Sequence, residues 1–110
     1  MALGVALGAF GAHGLKPRLM PDFLAIYETG VRYHLVHGLA VFVAAWLAGE
    51  DETRSARLAG ELFIIGILLF SGSLYLLALT GIRGFGAITP LGGFAWIAAW
   101  AIVALRLKLR

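Results

Sequence analysis

The sequence predicts an all-α polytopic membrane protein, a bundle of four transmembrane helices in a single domain over residues 1–110. Hydrophobic residues make up 61% of the 110 residues and charged residues only 14%, whereas soluble domains average about 45–50% and about 25%. A domain this small buries too little of its surface to hide so much apolar area from water. The apolar residues also fall into four runs, each close to the length that a helix needs to cross a bilayer.

Helix 1 is predicted over residues 1–15, a run without Asp, Glu, Lys or Arg. At 1.5 Å per residue this helix reaches only about 22 Å, less than the roughly 30 Å of a hydrocarbon core. We therefore expect the natural start of the chain to lie upstream. No basic residue precedes the run, as it would in a signal peptide, so we interpret it as a retained span.

Helix 2 is predicted over residues 21–49, with an amphipathic start expected at the membrane interface. Pro21 suits the first turn because it lacks the amide that would be unpaired there, and Asp22 lies near the positive end of the helix dipole. Glu28 and Arg32 stand four residues apart in the order that favours an ion pair. One face of this start carries residues at helical spacing, namely Phe23, Ile26, Tyr27, Gly30 and His34.

Helices 3 and 4 are predicted over residues 53–80 and 90–109. The uncharged run 62–81 is long enough to span a membrane alone. Thr89 and Pro90 have the types expected at an N-cap and at the first helical position. The glycine-rich stretch 81–86 between the two helices is predicted to be a loop.

The distribution of basic residues favours placing both termini in the cytoplasm. With four spans, the termini and the helix 2–3 connection share one side of the membrane. That side carries Arg54, Arg57, Arg106, Lys108 and Arg110. The opposite side carries Lys16, Arg18, Arg32 and Arg83. The excess of one basic residue favours the first side as the cytoplasmic one.

Several classes of function are not supported by the sequence. The chain has no cysteine, so thiol chemistry and Cys-ligated metals are excluded. The net charge of +3 comes from basic residues that flank apolar spans, so we expect no nucleic-acid partner. No nucleophile–base or phosphate-binding motif is recognisable, so we expect no enzymatic activity, no catalytic residues and no cofactor.

The three histidines are the candidate metal ligands. His34 and His37 are three residues apart and project from one face of helix 2. His13 ends helix 1, which a short connection joins to helix 2. Neutral imidazoles suit zinc or copper, so a metal or haem site is one hypothesis if His13 and His37 meet. The alternative is that each histidine bonds to a backbone carbonyl or lies among lipid headgroups.

Four sequence blocks carry a resemblance to a known family. They are residues 7–15 (LGAFGAHGL), residues 29–33 (TGVRY) followed by His37, residues 70–75 (FSGSLY) and residues 89–93 (TPLGG). In this order they resemble the family of small membrane proteins catalogued as domain of unknown function 423. The resemblance implies a four-helix integral membrane protein of the bacterial inner membrane and carries over no catalytic residue. It marks as motif positions Gly11, His13, Gly30, Tyr33, His37, Ser71, Ser73, Tyr75, Thr89, Pro90 and Gly93; His34 is not among them.

Three functional hypotheses follow. The first is a non-enzymatic membrane protein whose helices pack against the same chain or other membrane proteins, with the lipid bilayer as its surroundings. Small residues that let helices approach closely favour this hypothesis. The second is a small oligomeric transporter or channel, with a polar path through His37, Ser71, Ser73 and Tyr75. The third is the histidine-based metal or haem protein.

Overall fold

The computed structural model describes residues 1–51 and 54–108, which form four helical rods. The first rod is α1 (Ala2–Phe10), which continues into a π-helical turn at Gly11–Leu15. The second rod is the uninterrupted helix α2 (Pro21–Asp51). The third rod comprises α3 (Arg54–Gly66), a π-helical turn (Ile67–Ser71) and α4 (Gly72–Thr80). A 3₁₀ turn (Arg83–Ala87) leads to the fourth rod, α5 (Thr89–Lys108).

The predicted all-helical membrane fold is confirmed. Three helical stretches are long and apolar enough to cross a membrane, namely Pro21–Gly49, Arg54–Thr80 and Arg83–Lys108. A shorter apolar helix, Ala2–Leu15, precedes them. The predicted helices start and end within a few residues of these rods, although the predicted start at residue 53 and end at residue 109 lie outside the described residues.

Two local expectations need correction. Thr89 is the first residue of α5 rather than a cap in front of it, and its hydroxyl group lies 2.6 Å from that of Ser73 on α4. The predicted loop over residues 81–86 contains most of the 3₁₀ turn Arg83–Ala87. Gly81 adopts φ 74° at the end of α4, a left-handed conformation that glycine reaches without a steric penalty.

The rods pack in an antiparallel row. α1 packs against the first half of α2, α2 packs against α3 and α4, and α5 packs mainly against α3. The Cα atoms extend over 48 × 26 × 16 Å. Since one helix with its side chains is about 10–12 Å wide, the smallest extent is that of a thin layer. Both broad faces of the layer therefore remain on the outside of the protein.

Two clusters of buried side chains hold the row together. One lies between α2, α3 and α5 and comprises Ala40, Ala44, Leu47, Ala56, Ala59, Phe63, Trp96, Ala99 and Val103. The other lies where α1, α2 and α4 meet and comprises Leu15, Tyr27, Val31 and Ala78. Many members of the first cluster are alanines, which allow the helix axes to approach closely.

Candidate functional site

The candidate site lies halfway along the bundle, where α2, α3 and α5 converge on His37. Helical spacing places His34 and His37 on the same face of α2, towards the third rod. Both imidazoles are buried, with exposed fractions of 6% and 5%. The packing of α5 against α3 then brings Trp96 and Trp100, one turn apart on α5, against His37.

Both ring nitrogens of His37 are engaged. Nδ1 lies 2.8 Å from the carbonyl oxygen of Tyr33, one turn back on α2. The indole Nε1 of Trp100 donates to Nε2 at 3.0 Å. Because an indole N–H only donates and a carbonyl only accepts, Nε2 must be the bare nitrogen and Nδ1 must carry the proton. The hydrogen-bond partners therefore assign one neutral tautomer to His37.

Trp96 covers one face of the His37 ring. The two ring centroids are 3.7 Å apart and the planes are inclined by only 4°. The indole Nε1 of Trp96 donates at 3.1 Å to the backbone oxygen of Phe63 on α3. Tyr33 stacks on the same indole, with centroids 5.8 Å apart and an interplanar angle of 12°. Stacking and hydrogen bonding together fix the orientation of the imidazole.

An apolar groove of about 520 Å³ opens beside this cluster. Its walls include Tyr33 and Val36 on α2, Phe70 on the third rod, and Ile97 and Trp100 on α5. The groove lies where α2 and α5 each pack their backbones closely against the third rod and meet one another mainly through the aromatic side chains around His37. Its apolar walls suit a lipid chain or an apolar helix surface.

A second group of polar side chains links α2 to the third rod and to α1, on the N-terminal side of His37. Nδ1 of His34 lies 2.9 Å from the hydroxyl group of Tyr75. Ser71, fully buried, donates to the backbone oxygen of Gly30 at 2.8 Å. The hydroxyl group of Tyr27 donates to the backbone oxygen of Leu7 on α1 at 2.6 Å. Each of these bonds joins two different rods.

Glycine at two motif positions leaves room for aromatic rings. A Cβ atom on Gly11 would lie 2.6 Å from the ring of Tyr27, too close for a real contact. A Cβ atom on Gly30 would lie 3.0 Å from the ring of Tyr75. The two tyrosine rings also contact each other, with centroids 5.2 Å apart. These glycines therefore let α1 and α4 pack closely against α2.

The remaining motif positions lie near the same contacts. Ser73 donates within the third rod to the backbone oxygen of Phe70 at 2.8 Å and lies against Thr89. Pro90 occupies the second position of α5, where its missing amide costs no hydrogen bond. Gly93 faces the ring of Phe70. The motif positions on α2, α4 and α5 thus lie mainly at contacts between helices.

His13 is separate from the other two histidines. It is exposed in the π-helical turn that follows α1. Two residues earlier, Gly11 lies beside Tyr27, which is ten residues from His37 on α2. Ten residues of helix correspond to about 15 Å along the axis. The three histidines therefore do not form the common ligand set on which the metal hypothesis depends.

Residues 1–51 and 54–108 contain no group of three or more His, Asp or Glu side chains placed to hold a metal ion. His37 has no free nitrogen to offer, since both accept or donate within the chain. The hypothesis of a histidine-based metal or haem site would require His37 to give up one of these bonds.

The sequence analysis did not identify the partners of His37. Trp96, Trp100 and Phe63 were not singled out there. One signal was available: two tryptophans stand one turn apart on a helix built mostly from aliphatic and small residues. A buried indole N–H requires an acceptor, and such acceptors on a neighbouring helix are few.

Fold and site together define a small helical membrane protein whose rods are joined by buried aromatic, histidine and hydroxyl side chains. The sequence matches the family described as "Protein of unknown function (DUF423)" over residues 7–93. The chain belongs to this family, as the four sequence blocks had indicated.

Named relatives cover most of the chain. A UPF0382 membrane protein, YwdK, of Bacillus subtilis (strain 168) is 49% identical over 104 residues, which are 94% of this chain and 85% of that protein. UPF0382 membrane protein SH2409 of Staphylococcus haemolyticus is 42% identical over 94% of this chain and 84% of its own length. A UPF0382 membrane protein of Haemophilus influenzae is 44% identical over 91% of this chain and 80% of its own length. No solved structure matches the chain.

Proposed function

We propose that this protein is non-enzymatic and acts by packing its helices against a second copy of itself or against another membrane protein. The observation that carries the proposal is the division of its surface. The buried polar side chains of the spans are hydrogen-bonded inside the chain, whereas the broad outer faces of the helical layer stay uncovered.

The interior supports a structural role for the motif residues. Interhelical hydrogen bonds involve His34, His37 and Ser71 on the inner faces of their helices. A catalytic group needs access to a substrate and a free donor or acceptor at the reacting atom. His37 borders the apolar groove, but it offers no free donor or acceptor there, because both of its ring nitrogens are bonded within the chain.

The outer faces support association. In the most apolar 18-residue stretches of the three long spans, only 22–39% of residues are buried inside the protein. One shallow groove of about 410 Å³ between α2 and α3 is lined by small residues, among them Ala44, Ala48 and Gly60. Surfaces of small residues permit close helix–helix contact in lipid, where packing rather than water exclusion drives association.

The transporter hypothesis receives less support from the geometry. It requires polar side chains that share an axis between copies of the chain. Ser71 and Ser73 are buried, with exposed fractions of 0% and 3%, and both donate to backbone oxygens of their own chain. Tyr75 is bonded to His34. A polar path would need these bonds to open.

The cellular location is part of the same proposal. We infer a bacterial inner membrane with both termini in the cytoplasm, because the basic residues favour that side by five to four. The bacterial sources of the relatives support the choice of membrane.

Native mass spectrometry from a mild detergent, with photobleaching step counts in liposomes at low protein density, tests the function. We expect a defined complex with a second copy or another membrane protein in both measurements. A bare monomer in both, with no protein bound after gentle extraction, would contradict the proposal. A complex that carries a metal or a small solute instead would favour one of the other two hypotheses.

A further inference from the structure

The outward face of α2 carries one negative and one positive side chain without partners. Glu28 and Arg32 are both exposed and lie one turn apart. The ion pair expected from their spacing does not form, since neither has a partner within ion-pair distance among residues 1–51 and 54–108. Both project away from the inner face that carries Gly30 and His34.

These two charges lie at the height of an uncharged helix. α1 runs beside this part of α2, since Gly8 of α1 lies against Val31. The outward side chains of α1 are apolar and well exposed, with fractions of 65% for Leu3, 59% for Val5 and 52% for Phe10. A helix with this surface belongs in the hydrocarbon core.

The neighbour on the other side of α2 has the same character. Gly30 lies against Leu74 and Tyr75 of α4. The exposed side chains of α4 include Leu76 and Leu79, about half of whose surface is accessible. The two charges on α2 are therefore flanked by apolar helices on both sides.

Charged side chains facing lipid at this height are costly. Charged residues within membrane spans usually pair with one another or line a polar interior. A long side chain relieves part of this cost when it reaches towards the headgroups. An oppositely charged partner that excludes lipid from both groups relieves more of it.

We propose that the outward face of α2 docks on the same face of a second copy, where Arg32 of each copy pairs with Glu28 of the other. This inference rests on the proposed function and specifies its surface and partner. The face carries its own complement, one acid and one base, which is what a two-fold symmetric interface requires. A different partner would need the same two opposite charges at the same spacing.

The geometry of a parallel pair suits this contact. Copies inserted in one orientation place equal residues at equal heights, and one turn separates Glu28 from Arg32 by about 6 Å. Side chains on a helix lean towards its N-terminus, so Arg32 leans towards the height of the partner's Glu28. Farther along, the face is apolar and exposed at Val36, Leu39 and Phe42, which extends the contact without further charges.

Charge reversal in two separately tagged chains tests the proposal. A Glu28→Arg chain carries two positive charges on this face, and an Arg32→Glu chain carries two negative ones. Neither chain can form an internal ion pair between these positions. Each variant alone should self-associate about tenfold less than the unchanged chain in liposomes, because like charges meet across the interface. Mixed in one membrane, the two variants should recover association with each other.

Recovery in the mixture also shows that both variants fold.

A third arm uses the cysteine-free chain: Leu39→Cys should form a disulfide-linked dimer, whereas Ile97→Cys on α5, where the side chain is even more exposed, should not. Self-association of both single variants at the original strength would overturn the proposed surface and leave the proposed function intact. A monomeric unchanged chain without any bound membrane protein would overturn both.

Discussion

His37 is held more completely than any other polar side chain described above. A carbonyl, an indole N–H and an indole face take up its two nitrogens and one side of its ring. Buried polar groups are costly when unpaired and specific when fully paired. The imidazole therefore fixes how α2 and α5 are rotated relative to one another, although the backbones of these two helices make few close approaches.

The tautomer of His37 is directly measurable. We expect Nδ1 to carry the proton and Nε2 to be bare, because Tyr33 presents a carbonyl oxygen to Nδ1 and Trp100 presents an N–H to Nε2. Nitrogen NMR of ¹⁵N-histidine-labelled protein in lipid distinguishes the two nitrogens, and His37→Gln assigns the signals. Observation of a protonated Nε2 would show that the bond from Trp100 is absent.

The bond between Trp100 and His37 should contribute measurably to stability. Trp100→Phe removes the donor and leaves Nε2 buried without a partner, so we expect a loss of about 1 kcal/mol in the free energy of unfolding. Reversible unfolding in mixed micelles gives this value. In a His37→Phe background the same substitution should cost clearly less. Equal losses in both backgrounds would mean that the two side chains are not coupled.

Sequence reasoning identified His37 but not its surroundings. The residue was conspicuous because an imidazole in an apolar span needs a partner. Its partners Trp96 and Trp100 lie 59 and 63 positions away, and the chain pattern does not define the rotation of α5. α5 is apolar on nearly all sides, so hydrophobic periodicity could not tell which face meets α2.

The contact between α3 and α5 depends on two glycines that face the partner helix. A Cβ atom on Gly66 would overlap the indole ring of Trp96, and one on Gly92 would overlap the backbone of Phe70. Gly60, also on α3, differs: a Cβ atom there meets only Ala44 at 3.5 Å, an ordinary contact. The three positions separate steric effects from the general preference of helices for alanine.

Alanine substitutions should destabilise the protein at the two glycines that face a close neighbour and not at Gly60. Gly92→Ala and Gly66→Ala are expected to lower the free energy of unfolding by about 1–3 kcal/mol, because the backbone or the indole must move. Gly60→Ala should be neutral or stabilising by up to about 1 kcal/mol, since alanine favours the helix. Unfolding in mixed micelles compares the three. Equal effects at Gly60 and Gly92 would contradict the close approach of α5.

The ends of the helices were predictable because they have local causes. Pro21 begins α2, and Pro90 lies in the first turn of α5, where proline loses no hydrogen bond. The π-helical turns had no such signal. At the second one, the amide of Gly72 bonds to the oxygen of Ile67, an extra residue in the turn that places Ser71 against Gly30 on α2. The turn therefore coincides with a contact between rods, as π-helical turns often do at special sites, and local sequence does not announce it.

The row of rods explains how a short chain can be well ordered yet leave so much surface outside. Each rod has a partner on one or two sides, and the polar bonds run between neighbouring rods. The layer has two broad faces that differ from one another. The orientation of the chain in the membrane decides which end of each face lies on the cytoplasmic side. The orientation is therefore the property of the whole molecule that any partner would depend on.

Cysteine labelling in intact bacteria tests the orientation. The unchanged chain has no cysteine, so single substitutions report without background. Gly84→Cys lies in the exposed turn before α5, where an added side chain meets nothing within 4 Å, and Ser55→Cys lies near the start of α3. With both termini in the cytoplasm, a membrane-impermeant maleimide should label Gly84→Cys in intact cells and Ser55→Cys only after lysis. The reverse pattern would place both termini outside. Labelling of both in intact cells would show that the chain inserts in two orientations, which the small excess of basic residues on one side would then explain.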